Sequence, residues 1–330
     1  MIARVNRGLA FAWAGVCRSQ GLFGHNSRRC LKAGSENRIA FGGFLVSLDQ
    51  RTVQSLTHTN PRKPINLLSP VMQPIAPSHT PSGELVERDI HLWAVQLGTA
   101  KDVVERCQAI LSPDEMIRES RFRFEHLRRE FAVSRGVLRS LLSHYLSVPA
   151  AELRFSYGTR GKPSLVGTEL DLRFNSSRSG NIALYSITRQ CEVGIDVEQV
   201  RALQDVEQLA CRAFCTEEVA DLLSLPAVDR ESAFFRCWTR KEAYVKAVGG
   251  GLSTPLDSFR VALKPGDRIT FMHIDGDPDE ARTWQLHEVL PAPGYISALA
   301  YRDSPRPLLA RPIMSAGELL TVLAKENRQL

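Results

Sequence analysis

Two short segments constrain this chain more than anything else in it: Gly194-Ile195-Asp196-Val197-Glu198 and Trp238-Thr239-Arg240-Lys241-Glu242-Ala243-Tyr244-Val245-Lys246. The first reads as a strand, with Asp196 and Glu198 at alternate positions and therefore on one face. The second reads as a helix, with Glu242 and Lys246 one turn apart. Trp238, Glu242, Val245 and Gly249 share one stripe, so Glu242 sits where an amphipathic helix buries a residue. Each segment alone also has a plain reading, a strand end running out to water and a surface i,i+4 pair. Two carboxylates on one face repel unless a cation lies between them. Three acids and a lysine converging on one spot would hold a divalent metal and a phosphate together, and hard oxygen ligands suit Mg²⁺. That combination points to phosphoryl-type transfer.

The rest of the chain divides by charge. The formal net charge is +6, but residues 1–84 hold ten Lys/Arg against three Asp/Glu, so the remainder is close to neutral. A nucleic-acid-binding reading of the whole chain loses its support on that division. Prolines at 61, 64, 70, 74, 77 and 81 mark a linker, and 1–84 reads as a basic, Pro/Ser-rich disordered extension. The Arg-bearing, acid-free first 35 residues resemble an organellar transit peptide; a plain extension or an early start codon is the alternative. No apolar run reaches membrane-spanning length. The seven cysteines form no C-x-x-C pair, which fits reduced thiols and a cytoplasmic protein, organellar if the leader acts. A chain starting near Gly83 should fold without the extension.

Periodicity predicts a strand from Ile90, a helix start at Ser112-Pro113-Asp114-Glu115, a helix over 128–146 and a turn at 158–163. Strands at 172–175 and 182–187 flank a turn at Ser176-Ser177-Arg178-Ser179-Gly180, which offers hydroxyls, amides and a guanidinium as a phosphate cradle or serves as an ordinary hairpin turn. A strand at 192–198 follows, then helices at 206–214, 216–223 and 231–248, the last ended by Gly249-Gly250-Gly251. Strands at 259–263, 269–274, 284–289 and 295–301 complete the pattern. The fold class is α+β. Residues 85–195 and 196–310 read as two similar halves with a cleft between them, and 311–330 as a helical tail. No P-loop, dinucleotide fingerprint, H-E-x-x-H or G-x-S-x-G is present.

Taken in order, Gly161-Lys162-Pro163, Phe174-Asn175-Ser176-Ser177-Arg178-Ser179, Gly194 to Glu198, Phe214 with Thr216-Glu217-Glu218, and Phe235-x-x-Trp238 to Lys246 resemble the surfactin-synthetase-type 4′-phosphopantetheinyl transferases. The resemblance runs from about Ile90 to Tyr301. It implies a pseudo-twofold pair of α+β halves that moves the phosphopantetheine arm of coenzyme A onto a serine of an apo carrier protein and releases 3′,5′-ADP. It implies that Asp196, Glu198 and Glu242 bind Mg²⁺, that Glu218 deprotonates the serine, and that Lys246 contacts the reacting phosphate. Lys162 and Ser177 match coenzyme-phosphate contacts, and Arg118 and Arg121 fall where the family carries basic residues near the 3′-phosphate. Family members usually have His where this chain has Arg178; an always-charged Arg there would meet the 3′-phosphate. A monomer is expected, with no nucleic acid partner. Arg236, Arg240 and Lys241, with an apolar anchor from 216–223, are the candidates for docking an acidic carrier. Two other readings stay open: a metal-dependent phosphodiesterase or nuclease using the same acids, and a non-catalytic coenzyme A or carrier binder.

Overall fold

The computed structural model describes residues 37–41, 44–48, 85–98 and 100–326. The disordered extension and leader expected over 1–84 lie outside the described residues, apart from an antiparallel hairpin of β1 (Asn37–Phe41) and β2 (Phe44–Leu48). In chain order there follow β3 (Ile90–Gln96), α1 (Lys101–Gln108), α2 (Pro113–Ser120), α3 (Glu125–Leu146), β4 (Arg154–Tyr157), β5 (Pro163–Val166), β6 (Leu172–Ser179), β7 (Ile182–Arg189) and β8 (Val193–Gln199). Then come α4 (Val206–Ala213), α5 (Thr216–Leu223), α6 (Ala227–Val248), β9 (Phe259–Val261), β10 (Phe271–Ile274), α7 (Pro278–Arg282), β11 (Trp284–Val289), β12 (Tyr295–Arg302), β13 (Leu308–Ala310), β14 (Met314–Ser315) and α8 (Ala316–Glu326). Among the described residues no helix is long and apolar enough to cross a membrane.

Helices and strands are mixed, as the α+β reading expected. One sheet runs β13-β3-β7-β6, with β14 also on β3; a second runs β11-β12-β8. Alternation along the strands sorts three cores. On one face of the first sheet, Trp93, Val95, Tyr185 and Ile187 pack with Val133, Val137 and Leu141 of α3 and Leu319 of α8. On its other face Ile90, Leu92, Ile182 and Leu184 meet Val193, Ile195 and Leu299 of the second sheet. The outer face of the second sheet packs on α6, with Phe214, Phe234, Trp238, Tyr244, Phe259 and Ala298.

Local signals behave as expected at the ends of helices. Ser112 and Glu115 close a capping box on α2, whose first residue is Pro113. Gly249 ends α6 at φ +73°, a left-handed position that glycine takes without a Cβ clash. Three expectations shift. Residues 176–179 belong to strand β6, and the turn lies beyond them at Gly180 and Asn181. The boundary drawn between 195 and 196 falls inside the single strand β8. The tail is more than a helix: β13 and β14 pair parallel to β3, so residues from 308 onward complete the first sheet.

Candidate active site

The acid strand and the signature helix meet because Gly194 lets them. A Cβ on Gly194 would lie 2.0 Å from Ala243 O and 2.3 Å from Ala247 N, so any side chain there would push α6 off β8. With Gly194 against α6, the alternate residues Asp196 and Glu198 share that face while Val193, Ile195 and Val197 join the core between the sheets. Asp196, Glu198 and Glu242 are all buried. Lys246, one turn beyond Glu242, reaches Asp196 Oδ1 at 2.6 Å and Ser177 Oγ at 2.9 Å. Ser177 in turn donates to Asp196 Oδ1 at 2.8 Å. Ser179 donates to Glu198 Oε2 at 2.9 Å, and Arg201 approaches the same oxygen at 3.5 Å.

The electrostatics are those of crowded, dry carboxylates. Burial pushes the Asp196 carboxyl up, against the pull of Lys246. Burial, and then the neighbouring Asp196, pushes Glu198 up to about 7. Glu242 is raised well above the carboxylate range by burial and by Asp196. Asp196 Oδ2 and Glu242 Oε1 are buried with no hydrogen-bond partner. Among the described residues no three His, Cys, Asp or Glu side chains enclose an ion as they stand. The donor set is nevertheless all carboxylate oxygen, with two of those oxygens unpaired, and a hard divalent cation is what such a set fits. A neutral ligand would leave the charge unrelieved.

The structure brings together Asp196, Glu198, Glu242, Lys246 and Ser177. Arg178 lies on the opposite face of β6, where its Nη1 donates to Glu130 Oε2 of α3 at 2.9 Å. Arg118 stands 5.7 Å from the Phe131 ring; burial lowers its pKa, with Arg135 and Arg178 adding repulsion and Tyr157 and Glu115 opposing it. Arg118, Arg135 and Arg178 thus form one basic neighbourhood, while Arg121 is exposed just past α2. Lys162 differs from the expectation of a phosphate contact. Its ammonium donates to Ala247 O at 2.7 Å and pairs with Glu192, capping the C-terminal end of α6, where the helix dipole favours a cation.

Glu218 also differs. It is fully buried, and both oxygens are taken: Oε1 accepts from Val261 N at 2.8 Å, and Oε2 accepts from Cys215 N at 3.1 Å and faces Lys241 Nζ at 2.8 Å. A carboxylate so occupied caps α5 and neutralises Lys241, and at 0% exposure it meets no incoming hydroxyl as it stands. Two of the expected docking cations are internal as well. Arg240 is 3% exposed and pairs with Glu288, and Lys241 is 0% exposed, which leaves Arg236 as the half-buried member of the three. Sequence reasoning missed Ser179, Glu130 and Lys241 as partners of the named acids and of Arg178. A strand reading of 175–179, with its polar odd positions, would have found Ser179.

These features define a cluster of three buried acids and a lysine where β6, β8 and α6 meet. The family model of the 4′-phosphopantetheinyl transferase superfamily matches residues 192–300. The chain is 37% identical over 222 residues to the 4′-phosphopantetheinyl transferase HetI of a Nostoc species, covering 67% of this chain and 90% of that protein. It is 31% identical over 206 residues to the 4′-phosphopantetheinyl transferase Sfp of Bacillus subtilis, covering 61% of this chain and 87% of that one. A solved holo-[acyl-carrier-protein] synthase of Thermotoga maritima matches 35% of this chain and 66% of its own at 20% identity and a TM-score of 0.28, too loosely to bear on the site. The chain belongs to the 4′-phosphopantetheinyl transferase superfamily, enzymes that move the phosphopantetheine group of coenzyme A to carrier proteins.

Proposed function

We propose that this site performs the transfer on a carrier serine with release of 3′,5′-ADP, and that Asp196, Glu198 and Glu242 hold a Mg²⁺ at the coenzyme pyrophosphate. The observation that carries the reading is the pair of buried, unpartnered oxygens, Asp196 Oδ2 and Glu242 Oε1, beside a lysine. Bound there, Mg²⁺ supplies charge neutralisation for the pyrophosphate and its developing transition state. Lys246, with a side chain 20% exposed, pairs with Asp196 and still reaches solvent; we assign it to the reacting phosphate and the departing 3′,5′-ADP. Ser177 orients that ammonium and is shared with Asp196.

Arg178, with Arg118 and Arg135 near it, is assigned to the 3′-phosphate; Arg121 and Lys162 are assigned to more distant stretches of the coenzyme only if they leave their present surroundings. Deprotonation of the serine by Glu218 requires its pair with Lys241 to open. The two sheet-and-helix units are read as the pseudo-twofold halves, and the protein as a cytoplasmic monomer whose residues 1–84 are dispensable for folding.

The test is an assay with labelled coenzyme A, Mg²⁺ and a panel of apo acyl and peptidyl carriers. The expected result is a carrier heavier by the phosphopantetheine arm, with one 3′,5′-ADP per transfer. Release of nucleotides from nucleic acid without carrier labelling would favour the phosphodiesterase reading, and coenzyme binding without turnover would favour the non-catalytic one.

A further inference from the structure

Strands β6 and β8 run side by side at the site but belong to different sheets. The backbone of β6 pairs with β7, and that of β8 pairs with β12. Side chains stitch the seam between them. On the odd face of β6, Asn175 Oδ1 accepts from Ile195 N at 3.0 Å, Ser177 donates to Asp196 Oδ1 at 2.8 Å, and Ser179 donates to Glu198 Oε2 at 2.9 Å. The two-residue repeat of β6 meets the two-residue repeat of β8, so each acid has its own serine.

The two serine–acid rungs share a pattern. Both side-chain donors to Asp196, Ser177 and Lys246, go to Oδ1, and Oδ2 is left without a partner. Both donors to Glu198, Ser179 and Arg201, go to Oε2. The direction of the Ser179 bond is fixed by its neighbour. Gln199 N donates to Ser179 Oγ at 3.1 Å, and a hydroxyl has a single proton, which is therefore free to go to Glu198. One oxygen of each acid is held by a serine of β6, and Asp196 Oδ2 is left to the cluster.

We propose that Ser179 is a positioning residue for the transfer: by holding Glu198 through Oε2 it presets the acid cluster for its divalent cation. The inference rests on the reading of Asp196, Glu198 and Glu242 as a metal site and deepens it. Partners that orient a metal-binding carboxylate commonly change metal affinity or activity by about 10- to 100-fold when removed. A residue that served only to close the seam would change stability and leave the ion's affinity alone.

The experiment titrates Mn²⁺, as a paramagnetic probe, into the full-length enzyme with coenzyme A present, and reads bound ion by electron paramagnetic resonance. Wild type, Ser179→Ala, Ser179→Thr and Asp196→Asn are compared, with thermal unfolding of each. Ser179→Ala should weaken Mn²⁺ about 10-fold or more, Ser179→Thr should restore it through the retained hydroxyl, and Asp196→Asn should abolish the site. Should Ser179→Ala fail to fold, Ser179→Cys carries the same expectation, since a thiol of similar size is a weak donor. Mn²⁺ affinity within about twofold of wild type in Ser179→Ala, with Asp196→Asn silent, would overturn the positioning role while leaving the metal site standing. Unchanged binding in Asp196→Asn would instead overturn the metal reading beneath it. A Thr variant as weak as Ala would show that the hydroxyl is not what matters.

Discussion

Replacing Glu218 by Gln should cost the core around α6 its stability before it costs the enzyme its chemistry. Glu218 and Lys241 are each 0% exposed and stand 2.8 Å apart. The ammonium has three donors, and they go to Glu218, Leu256 O at 2.6 Å and Phe259 O at 2.5 Å, with the Phe259 ring 4.3 Å away. Gln removes the charge that balances Lys241. It also turns an NH₂ toward a backbone donor, because Val261 N and Cys215 N each occupy one of the two carboxylate oxygens. Breaking a buried pair by removing one partner costs about 3–5 kcal/mol, a large share of the roughly 5–15 kcal/mol that holds a typical domain.

Lys241→Met should cost a similar amount, for the carboxylate it strands. The double variant Glu218→Leu with Lys241→Met should lose less than the sum of the corresponding single variants, with a coupling of about 2 kcal/mol or more, since no buried charge is left alone. Urea unfolding of these variants, extrapolated to water, measures each step of the cycle. Transfer activity per folded molecule is read alongside. The reasoning is refuted if Glu218→Gln stays within about 1 kcal/mol of wild type while turnover falls by about 100-fold or more, the size of effect expected for a lost proton acceptor. Glu218 would then be the serine's base, and the Lys241 pair a resting state that opens.

Asp196→Ala and Glu242→Ala should each lower transfer by orders of magnitude while the urea midpoint holds or rises, because relieving crowded buried acids empties little of the core; retained activity with Mg²⁺ chelated would count against the site. Arg178→Ala should weaken coenzyme A by about 10- to 150-fold, for a charged hydrogen bond contributing roughly 1.5–3 kcal/mol, and 3′-dephospho-coenzyme A far less. Glu130→Gln should tighten coenzyme A, since Glu130 competes for the same guanidinium. Calorimetry on both ligands separates these two effects. Burial, with repulsion from Arg311 and His144, lowers the His91 pKa from 6.5 to about 4. The unfolded chain therefore binds the proton more readily, and stability should fall on acidification through that window by up to about 3 kcal/mol. The difference in urea midpoint between wild type and His91→Gln, followed from pH 7 to about 4, measures it. A chain starting at Gly83 should fold with the same thermal midpoint and transfer as fast as the full chain.

Much of the site was legible because strand and helix periods are short and exact enough to place side chains on faces. Asp196 with Glu198, and Glu242 with Lys246, were put on common faces by counting, and α6 was ended at Gly249 from its glycines. The partnership of β6 with β8 was not legible. Ser177 and Ser179 meet Asp196 and Glu198 across a seam with no backbone ladder, so no strand-pairing rule brings them together. Reading 176–180 as a turn also hid the alternation that would have grouped them. The return of β13 and β14 to β3 was lost for a related reason. Parallel pairing to a strand more than 200 residues earlier leaves no local trace, and both strands are only two or three residues long.

The signature helix was the segment most easily over-read, because its density of charge invites a functional role for every residue. In the fold the charges divide. Glu242 and Lys246 face the acid strand. Arg240 turns the other way, to Ala262 O and Glu288, and Lys241 goes to Glu218 and two carbonyls. Ala243 and Ala247 are small where Gly194 presses against them. Half of the motif therefore anchors the helix to β9, β11 and α5, and that anchoring is what keeps Glu242 and Lys246 in register with Asp196. Electrostatic steering of an acidic carrier cannot rest on Arg240 or Lys241, which are already desolvated and paired; reversing either charge would unfold the core before it changed docking. Any attraction this helix offers a carrier is carried by Arg236, and a single half-buried arginine contributes too little to set specificity alone.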